Sequence, residues 1–152
     1  MKLLVFSDSH GVTEPMLRAA RARRPDALVH LGDHARDARV LGAAFPELPL
    51  YSVRGNCDMP DASVPERVSF TLEDVPVFAC HGHRYGVKTG LVPLLNAAYF
   101  SGAHLVLFGH THVPLREEVE GVLLLNPGSA RQTCAEIELE EGRILRAEIA
   151  EI

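Results

Sequence analysis

Five short segments of the chain combine aspartate, asparagine and histidine with glycine. They are Ser7-Asp8-Ser9-His10-Gly11, Leu31-Gly32-Asp33, Arg54-Gly55-Asn56-Cys57-Asp58, His81-Gly82-His83 and Gly109-His110-Thr111-His112. Seven of their side chains offer metal ligands: Asp8, His10, Asp33, Asn56, His81, His110 and His112. Such a mixture of oxygen and nitrogen donors suits Mn, Fe, Zn, Co or Ni better than Mg or Ca. The set exceeds the three or four protein ligands of one zinc site and is large enough for two ions if one carboxylate bridges them.

Two divalent ions would give these residues a specific chemistry. Ions about 3.5–4 Å apart clamp an in-line displacement at phosphorus and lower the pKa of a bound water. The ions bring about +4 and the two aspartates about −2, so the site would carry about +2. A chain with a formal net charge of −5 can therefore bind a small phosphate ester. The same net charge disfavours non-specific binding to nucleic acid, which relies on basic surface.

Each of the five segments lies at the carboxyl end of an apolar run that predicts a β-strand. The runs are Leu3–Phe6, Ala27–Leu31, Leu48–Val53, Val75–Cys80 and Leu105–Phe108. Two predicted helices, one from Thr13 as N-cap to Arg24 and one over Ala35–Phe45, alternate with the first three strands and indicate a parallel sheet. Because ligands bind at the carboxyl ends of parallel strands, we expect the five segments to converge.

The second half of the chain predicts antiparallel hairpins around a single helix. Arg67–Leu72 and Val75–Cys80 flank Glu73-Asp74, and the helix is expected over Leu91–Ser101. Tight turns near Glu120-Gly121 and Glu141-Gly142 indicate two more hairpins. Their strands are expected over Val113–Val119, Val122–Leu125, Thr133–Leu139 and Arg143–Ile149. We expect one α/β domain, residues 1–152, with two sheets.

Length and composition are those of an ordinary globular domain. The chain has 152 residues, of which 47% are hydrophobic and 23% charged. No apolar run approaches the ~20 residues of a membrane helix. The apolar stretch after Lys2 is too short for a signal peptide, and the three scattered cysteines disfavour a disulfide framework. These features predict a cytoplasmic protein without membrane contact.

The ordered set of five motifs resembles the calcineurin-like metallophosphoesterase superfamily, most of all its small stand-alone bacterial and archaeal phosphodiesterases in a Gly-Asn-Cys-Asp variant. The resemblance spans residues 1 to about 130, with Asn126-Pro127-Gly128-Ser129 as a further family-like turn. It implies a four-layer αββα sandwich of two mixed β-sheets flanked by helices, with a dinuclear site at one end. Asp8, His10 and His112 would hold the first ion, Asp33 would bridge, and Asn56, His81 and His110 would hold the second.

The resemblance also implies a reaction. A hydroxide between two divalent transition metal ions, with manganese as the first candidate and Ni, Fe, Zn or Co as alternatives, would attack a small phosphodiester. Many relatives carry a histidine at the position of Cys57, where it is thought to protonate the leaving group. Asn56, Cys57 and His83 are the predicted catalytic residues, and Arg54 and His83 the predicted substrate contacts. Because cysteine is shorter than histidine, we expect weak protonation of the leaving group and faster turnover of aryl than of alkyl esters.

Simpler interpretations remain open at individual residues. Asp33 can cap the helix that begins near Ala35, Asn56 can be a left-handed turn residue, Arg54 can cover the rim, and Asp58 can orient a neighbour or only complete a turn. His30, His34 and His104 are assigned no direct catalytic role. Cys80 and Cys134 are expected to be buried.

Two other functions also remain open. One is a phosphomonoesterase that acts on a nucleotide or a phosphorylated metabolite. The other is an interaction scaffold of the same fold, like the retromer subunit whose metal site is degraded. The edge strand Arg143–Ile149 makes a homodimer conceivable.

Overall fold

The computed structural model describes residues 1–152, which form ten strands and three α-helices. The strands are β1 Lys2–Phe6, β2 Ala27–His30, β3 Leu50–Ser52, β4 Arg67–Leu72, β5 Val75–Cys80, β6 Leu105–Leu107, β7 Leu115–Val119, β8 Val122–Asn126, β9 Thr133–Glu140 and β10 Arg143–Glu151. The helices are α1 Glu14–Arg23, α2 Ala35–Ala44 and α3 Val92–Ser101, and a single 3-10 turn covers His83–Tyr85.

The first sheet has the strand order β10-β9-β1-β2-β3. β1, β2 and β3 are parallel, as the alternation of strands and helices predicts, whereas β9 pairs with the other edge of β1 in antiparallel orientation. β1 is apolar from Leu3 to Phe6, as a strand that is covered on both faces requires. Leu3 and Val5 face the second sheet, and Leu4 and Phe6 face the helices, as the alternation of side chains in a strand requires.

The second sheet has the strand order β4-β5-β6-β8-β7. The predicted hairpins β4–β5 and β7–β8 are present, as is β9–β10 in the first sheet. The three central strands β5, β6 and β8 are nevertheless parallel, which the prediction of an antiparallel half missed. The reason is that α3 carries the chain from the end of β5 back to the start of β6, a crossover that parallel strands require. The ends of β5 and β6 therefore lie at the same edge.

Three apolar clusters define four layers. The largest lies between the two sheets, a second holds α1 and α2 against the outer face of the first sheet, and a third holds α3 against the outer face of the second. The predicted four-layer αββα sandwich is confirmed. None of the three helices has the length and apolarity that crossing a bilayer requires.

Several elements are shorter than predicted, and prolines explain part of the difference. β3 begins at Leu50 rather than Leu48, and β7 begins at Leu115 rather than Val113. Pro49 and Pro114 directly precede these starts, and proline has no N–H group to donate to a neighbouring strand. The consequence for function is small, because the carboxyl ends of β1, β2 and β3 still meet at one edge.

Candidate metal centre

The strand ends bring six of the seven predicted ligands into two clusters. In the first cluster one ligand atom from each of Asp8, His10, Asp33 and His112 lies within 4.8 Å of the others. In the second the same holds for Asp33, His81 and His110. Asp33 belongs to both clusters. This geometry fits two cations that share one carboxylate.

One carboxylate oxygen of Asp8 accepts hydrogen bonds from neighbouring residues, and the other faces the first cluster. Oδ2 accepts hydrogen bonds from Ser7 Oγ at 2.6 Å and from His110 N at 3.0 Å. Oδ1 is buried without a hydrogen-bond partner, and lies 3.2 Å from His112 Nε2 and 3.8 Å from His81 Nε2. Because a buried carboxylate oxygen without a partner is costly, a cation is the species that this position fits.

Histidine nitrogens converge on the same space. His10 Nε2 lies 3.3 Å from His112 Nε2, 3.6 Å from Asp33 Oδ2 and 4.0 Å from Asp8 Oδ1. His10 and His112 have left-handed backbone conformations, with φ of 46° and 59°. Imidazole is a common ligand of transition metals, so this arrangement agrees with the predicted ligand chemistry.

His81 is held in the tautomer that a metal ligand needs. Its Nδ1 donates a hydrogen bond to the carbonyl oxygen of Leu31 at 2.7 Å, since a carbonyl can only accept. Its Nε2 is buried, has no hydrogen-bond partner and lies 3.4 Å from Asp33 Oδ1. Burial alone would lower the pKa of His81, but the carboxylates of Asp33 and Asp8 raise that pKa above its ordinary value. A proton and a metal ion therefore compete for Nε2.

Asp33 is kept ionised by its neighbours. Burial would raise the pKa of Asp33, but the close His81 imidazole and a hydrogen bond from the backbone N–H of Cys57 at 2.9 Å hold that pKa well below its usual range. Ligation by a carboxylate requires the ionised form. The two oxygens face different clusters: Oδ1 faces His81 and Oδ2 faces His10.

Asp58 joins the loops that carry the ligands. Its Oδ2 accepts hydrogen bonds from the backbone N–H groups of Asp33 at 3.0 Å and Gly55 at 2.7 Å, and its Oδ1 accepts one from Ala35 N at 2.7 Å. The interpretation of Asp33 as the cap of α2 is therefore wrong. The backbone N-cap position is His34, which makes no side-chain cap bond, and the capping carboxylate is that of Asp58. Local sequence could not show this cap, because it comes from the next loop.

A second set of polar residues fixes the loop after β1. Ser9 Oγ donates to Asp37 Oδ2 at 2.7 Å and lies 3.0 Å from His30 Nε2, while Gly11 N donates to the same Asp37 oxygen at 2.8 Å. His30 is completely buried, and burial lowers its pKa to about 4. Sequence reasoning gave His30 no direct role and missed Ser9 and Asp37. The one signal was Ser9, which lies between two predicted ligands.

The turn Asn126-Pro127-Gly128-Ser129 supports the first cluster from the other sheet. Asn126 Nδ2 donates to Gly109 O at 2.9 Å and to Thr111 Oγ1 at 3.0 Å, and Ser129 Oγ donates to Asp8 O at 3.0 Å. Gly109 leaves no room for a side chain here, since a Cβ atom would overlap Ser7 Oγ and Asp8 Oδ2. The family-like turn thus holds the loop after β1, through Asp8, and the loop after β6, through Gly109 and Thr111.

Asn56 and Cys57 lie in the exposed loop after β3. The side-chain amide of Asn56 donates to Cys57 Sγ at 3.5 Å. Loss of water around the thiol and the neighbouring Asp33 carboxylate raise the pKa of Cys57. The ligand role of Asn56 and the catalytic role of Cys57 remain predictions.

His83 lies beside the second cluster, whereas the Arg54 side chain is bound within the loop after β3. The ring of His83 lies 5.5 Å from that of His81 and 6.2 Å from that of His110, and its Nδ1 is buried without a partner. Burial and the nearby His81 lower the pKa of His83. The Arg54 guanidinium donates to Asp61 O at 2.8 Å and Val64 O at 3.3 Å, so it stabilises the loop in which it lies.

Of the histidines given no direct role, His34 is half-buried and His104 exposed, while Cys80 and Cys134 are buried as expected.

The chain is similar to known phosphoesterases over most of its length. Residues 1–144 match the family model described as the calcineurin-like phosphoesterase superfamily domain. A probable metallophosphoesterase of Bacillus subtilis, YsnB, is 33% identical over 134 residues, which cover 86% of this chain and 76% of the relative. The phosphodiesterase YfcE of Escherichia coli K12 is 31% identical, with 85% of this chain and 79% of the relative covered.

Solved structures agree with the fold. A predicted phosphoesterase from Streptococcus pneumoniae superposes with a TM-score of 0.76 at 25% identity, covering 99% of this chain and 97% of that one. A Vps29 mutant from Entamoeba histolytica superposes with a TM-score of 0.79 at 18% identity over 100% of this chain and 99% of its own, a likeness of fold alone. The clustered ligands, the four-layer fold and the match over residues 1–144 agree. The chain belongs to the calcineurin-like phosphoesterase superfamily and is a metal-dependent phosphoester hydrolase.

Proposed function

We propose that the chain is a dinuclear-metal phosphodiesterase that hydrolyses small phosphate esters. The observation that carries the proposal is the position of Asp33, whose two carboxylate oxygens face two separate groups of ligand atoms. We infer that Asp8, His10 and His112 hold one ion, that Asn56, His81 and His110 hold the other, and that Asp33 bridges them. Manganese is our first candidate, with Ni, Fe, Zn and Co as alternatives that the same ligands accept.

The protein's own residues would hold the ions, orient the ligands and contact the substrate. The bound ions, when present, supply Lewis acidity that activates water and neutralises charge on the phosphoryl group. Asp8 and Asp33 contribute the negative charge that retains the ions, and Leu31 O and Cys57 N fix the orientations of His81 and Asp33. We keep Arg54 and His83 as the proposed contacts of the non-bridging phosphoryl oxygens, and Arg54 would exchange its hydrogen bonds to Asp61 O and Val64 O for this contact.

Metal content and ester hydrolysis test the proposal together. The native chain is stripped of metal, reloaded with Mn²⁺, and assayed with bis-p-nitrophenyl phosphate and p-nitrophenyl phosphate. We expect two ions per chain and faster hydrolysis of the diester. Asp33→Asn should lose both ions and the activity, whereas Asp74→Asn, a change of an exposed turn carboxylate, should keep both. Hydrolysis of the monoester alone would make the protein a phosphomonoesterase, and one ion in a fully active chain would contradict the dinuclear site.

The leaving group of the proposed reaction needs a proton donor. We infer that either Cys57 or His83 supplies it, since both flank the second cluster. An alkoxide needs a proton more than p-nitrophenolate does, so loss of the donor slows alkyl diesters selectively. Cys57→Ser and His83→Gln are compared on alkyl and aryl diesters, and the variant with the larger selective loss identifies the donor. Cys57→His should raise the alkyl rate relative to the aryl rate, and a relative decrease would contradict the expected weakness of Cys57.

A scaffold is the second candidate function, favoured by one surface. Helix α3 exposes 75% of Tyr99, 90% of Phe100 and 69% of Val92, whereas solvent-facing helix surfaces are usually polar. Exposed apolar clusters of this kind mark interaction sites. Absence of hydrolysis by a chain that demonstrably binds metal would favour this function.

Two further expectations belong to the proposal. One edge of strand β10 has no neighbouring strand, so we expect that a homodimer would form through this edge.

We also infer a cytoplasmic location, which the three unpaired cysteines support because thiols persist in reducing compartments.

A further inference from the structure

A cleft beside the second ligand cluster has a volume of about 590 Å³. We call it the arginine cleft. It lies between the first turns of α2 and the loop after β3, and its lining includes Arg36, Arg39, Arg54, Cys57, Asp58 and Met59. Its volume falls within the range of small-molecule sites, about 300–1,000 Å³. The cleft is therefore large enough for a substituent of nucleotide size.

Two residues of the arginine cleft are hydrogen-bonded to Asp33 of the metal centre. The backbone N–H of Cys57 donates to Asp33 Oδ1 at 2.9 Å, and Asp58 Oδ2 accepts from Asp33 N at 3.0 Å. Both residues also line the cleft. A phosphodiester whose phosphorus lies at Asp33 can thus place one of its two substituents in the cleft.

The lining has a small excess of formal positive charge. Three arginines and two aspartates line the cleft, and all of them except Arg36 are engaged within the protein. Asp58 accepts three backbone hydrogen bonds, and Asp61 pairs with Arg39 at 2.7 Å and with Ser63. In a chain of net charge −5, this lining is suited to an anion.

Arg36 is the arginine that is free to bind. It is exposed in the first turn of α2 and makes no side-chain hydrogen bond or ion pair, unlike Arg39 and Arg54. Guanidinium groups bind phosphate through paired hydrogen bonds, which gives them geometric selectivity. Arg36 is therefore the expected contact for a phosphate other than the one at the metal centre.

Part of the cleft lining, which we call the apolar lip, consists of Met59, Pro60 and Ala62. Met59 is 85% exposed, and Pro60 and Ala62 beside it are exposed as well. A thioether packs favourably against aromatic rings. This lip offers a surface for a flat ring such as a nucleobase.

We propose that the arginine cleft binds a nucleotide substituent of a phosphodiester substrate, with a second phosphate on Arg36 and the base against Met59. The inference rests on the proposed phosphodiesterase function and specifies its substrate class. It predicts a preference for diesters whose nucleotide carries a phosphate beyond the one that is hydrolysed.

Two chromogenic substrates isolate that phosphate. The p-nitrophenyl ester of thymidine 5′-phosphate and its 3′-phosphorylated derivative release the same p-nitrophenolate. We expect the added phosphate to lower KM about fivefold in the Mn²⁺-loaded native chain, as one exposed charge-assisted contact would. Arg36→Gln should abolish this advantage, and Arg36→Lys should keep part of it. Arg18→Gln, an exposed arginine on α1 without an ion pair, is the matched control and should keep all of it.

Calorimetry gives a readout independent of turnover. Thymidine 3′,5′-bisphosphate should bind the Mn²⁺-loaded native chain more tightly than thymidine 5′-phosphate, and Arg36→Gln and Met59→Ser should weaken binding of the bisphosphate. Equal affinity for the two nucleotides, or an advantage that persists in Arg36→Gln, would overturn the proposal. Bisphosphate binding through Arg36 without hydrolysis of any diester would instead refute the phosphodiesterase function and leave the cleft as a nucleotide site.

Discussion

The two carboxylate oxygens of Asp8 have different roles, one structural and one directed at the candidate metal centre. Oδ2 is held by Ser7 and by the backbone of His110, and Oδ1 faces three histidines without a hydrogen bond. The Ser7 and His110 bonds prevent the carboxylate from rotating to relieve its unpartnered oxygen. The residue is thereby prepared for a cation before the cation binds.

We predict that Asp8→Asn reduces the metal content of the chain from two ions to one. The change removes one of the two carboxylates of the first cluster but leaves the whole second cluster, Asp33, His81 and His110, in place. Equilibrium dialysis against Mn²⁺, followed by elemental analysis, measures the content. Asp74→Asn should retain both ions, and an unchanged content in Asp8→Asn would show that Asp8 is not a ligand.

His30 is expected to make stability depend on pH. Its pKa is about 4 in the folded protein and 6.5 in its ordinary state, so the unfolded chain binds the proton more readily. The contribution of His30 to the free energy of unfolding should therefore be fully present above about pH 6.5. It should decrease as the pH falls from about 6.5 to 4 and be lost below that range. The full contribution is about 3 kcal/mol, at 1.36 kcal/mol per pKa unit.

Urea unfolding in the presence of a chelator, at intervals from pH 4 to 7, measures this dependence. His30→Gln removes the titrating group, so the part of the slope that belongs to His30 should disappear in the variant. Identical slopes in the two proteins would assign the pH dependence to other residues.

At the scale of elements, one carboxylate links three segments. Asp58 joins the ends of β2 and β3 to the start of α2 through three backbone hydrogen bonds. We predict that Asp58→Asn lowers the free energy of unfolding by about 1–3 kcal/mol, because the amide nitrogen cannot accept from a backbone N–H. It should also weaken metal binding about 10–100-fold, as loss of a group that orients a ligand does.

Chemical denaturation and metal titration measure the two effects of Asp58→Asn. A stability loss without any change in metal affinity would mean that Asp58 caps α2 but does not position Asp33. Asp74→Asn again serves as the control, since its carboxylate lies in an exposed turn.

The strands and most ligand positions could be predicted from sequence because they depend on local pattern. An apolar run followed within a few residues by Asp or His beside a glycine indicates both a buried strand and a polar strand end, and the six clustered ligands lie in segments of this kind. The parallel pairing of β5, β6 and β8, the cap from Asp58 and the Ser9–Asp37 bond depend on contacts between distant segments. No local pattern in the sequence specifies these partners, because the position of Ser9 between two predicted ligands marks Ser9 but not Asp37.

At the scale of the whole molecule, the metal centre lies between the two sheets and belongs to neither. Asp8, His10 and Asp33 follow strands of the first sheet, whereas His81 and His110 follow strands of the second. Bound ions should therefore stabilise the packing of one sheet on the other. At a free concentration of 100 times Kd, one ion contributes about 2.7 kcal/mol, which corresponds to about 5–10 °C in Tm for a domain of this size.

Differential scanning calorimetry with Mn²⁺ and with a chelator measures this shift, which should be reversible. Asp33→Asn should unfold at the same temperature in both conditions. A native chain whose Tm does not respond to metal would contradict the placement of the ions between the sheets.

The pairing of β1 with β9 connects the beginning of the chain to its last quarter. Lys2 faces Glu138 across this ladder, and Ala130 N donates to Ser7 O at 2.7 Å just before Asp8. During synthesis on the ribosome, Asp8 emerges early, but one side of its strand stays open until residues 133–140 have left the exit tunnel. An open strand edge is a template for pairing with other chains, and contacts so distant in sequence form slowly. We therefore expect the site around Asp8 to be completed late in the synthesis of the chain, after β9 has paired with β1.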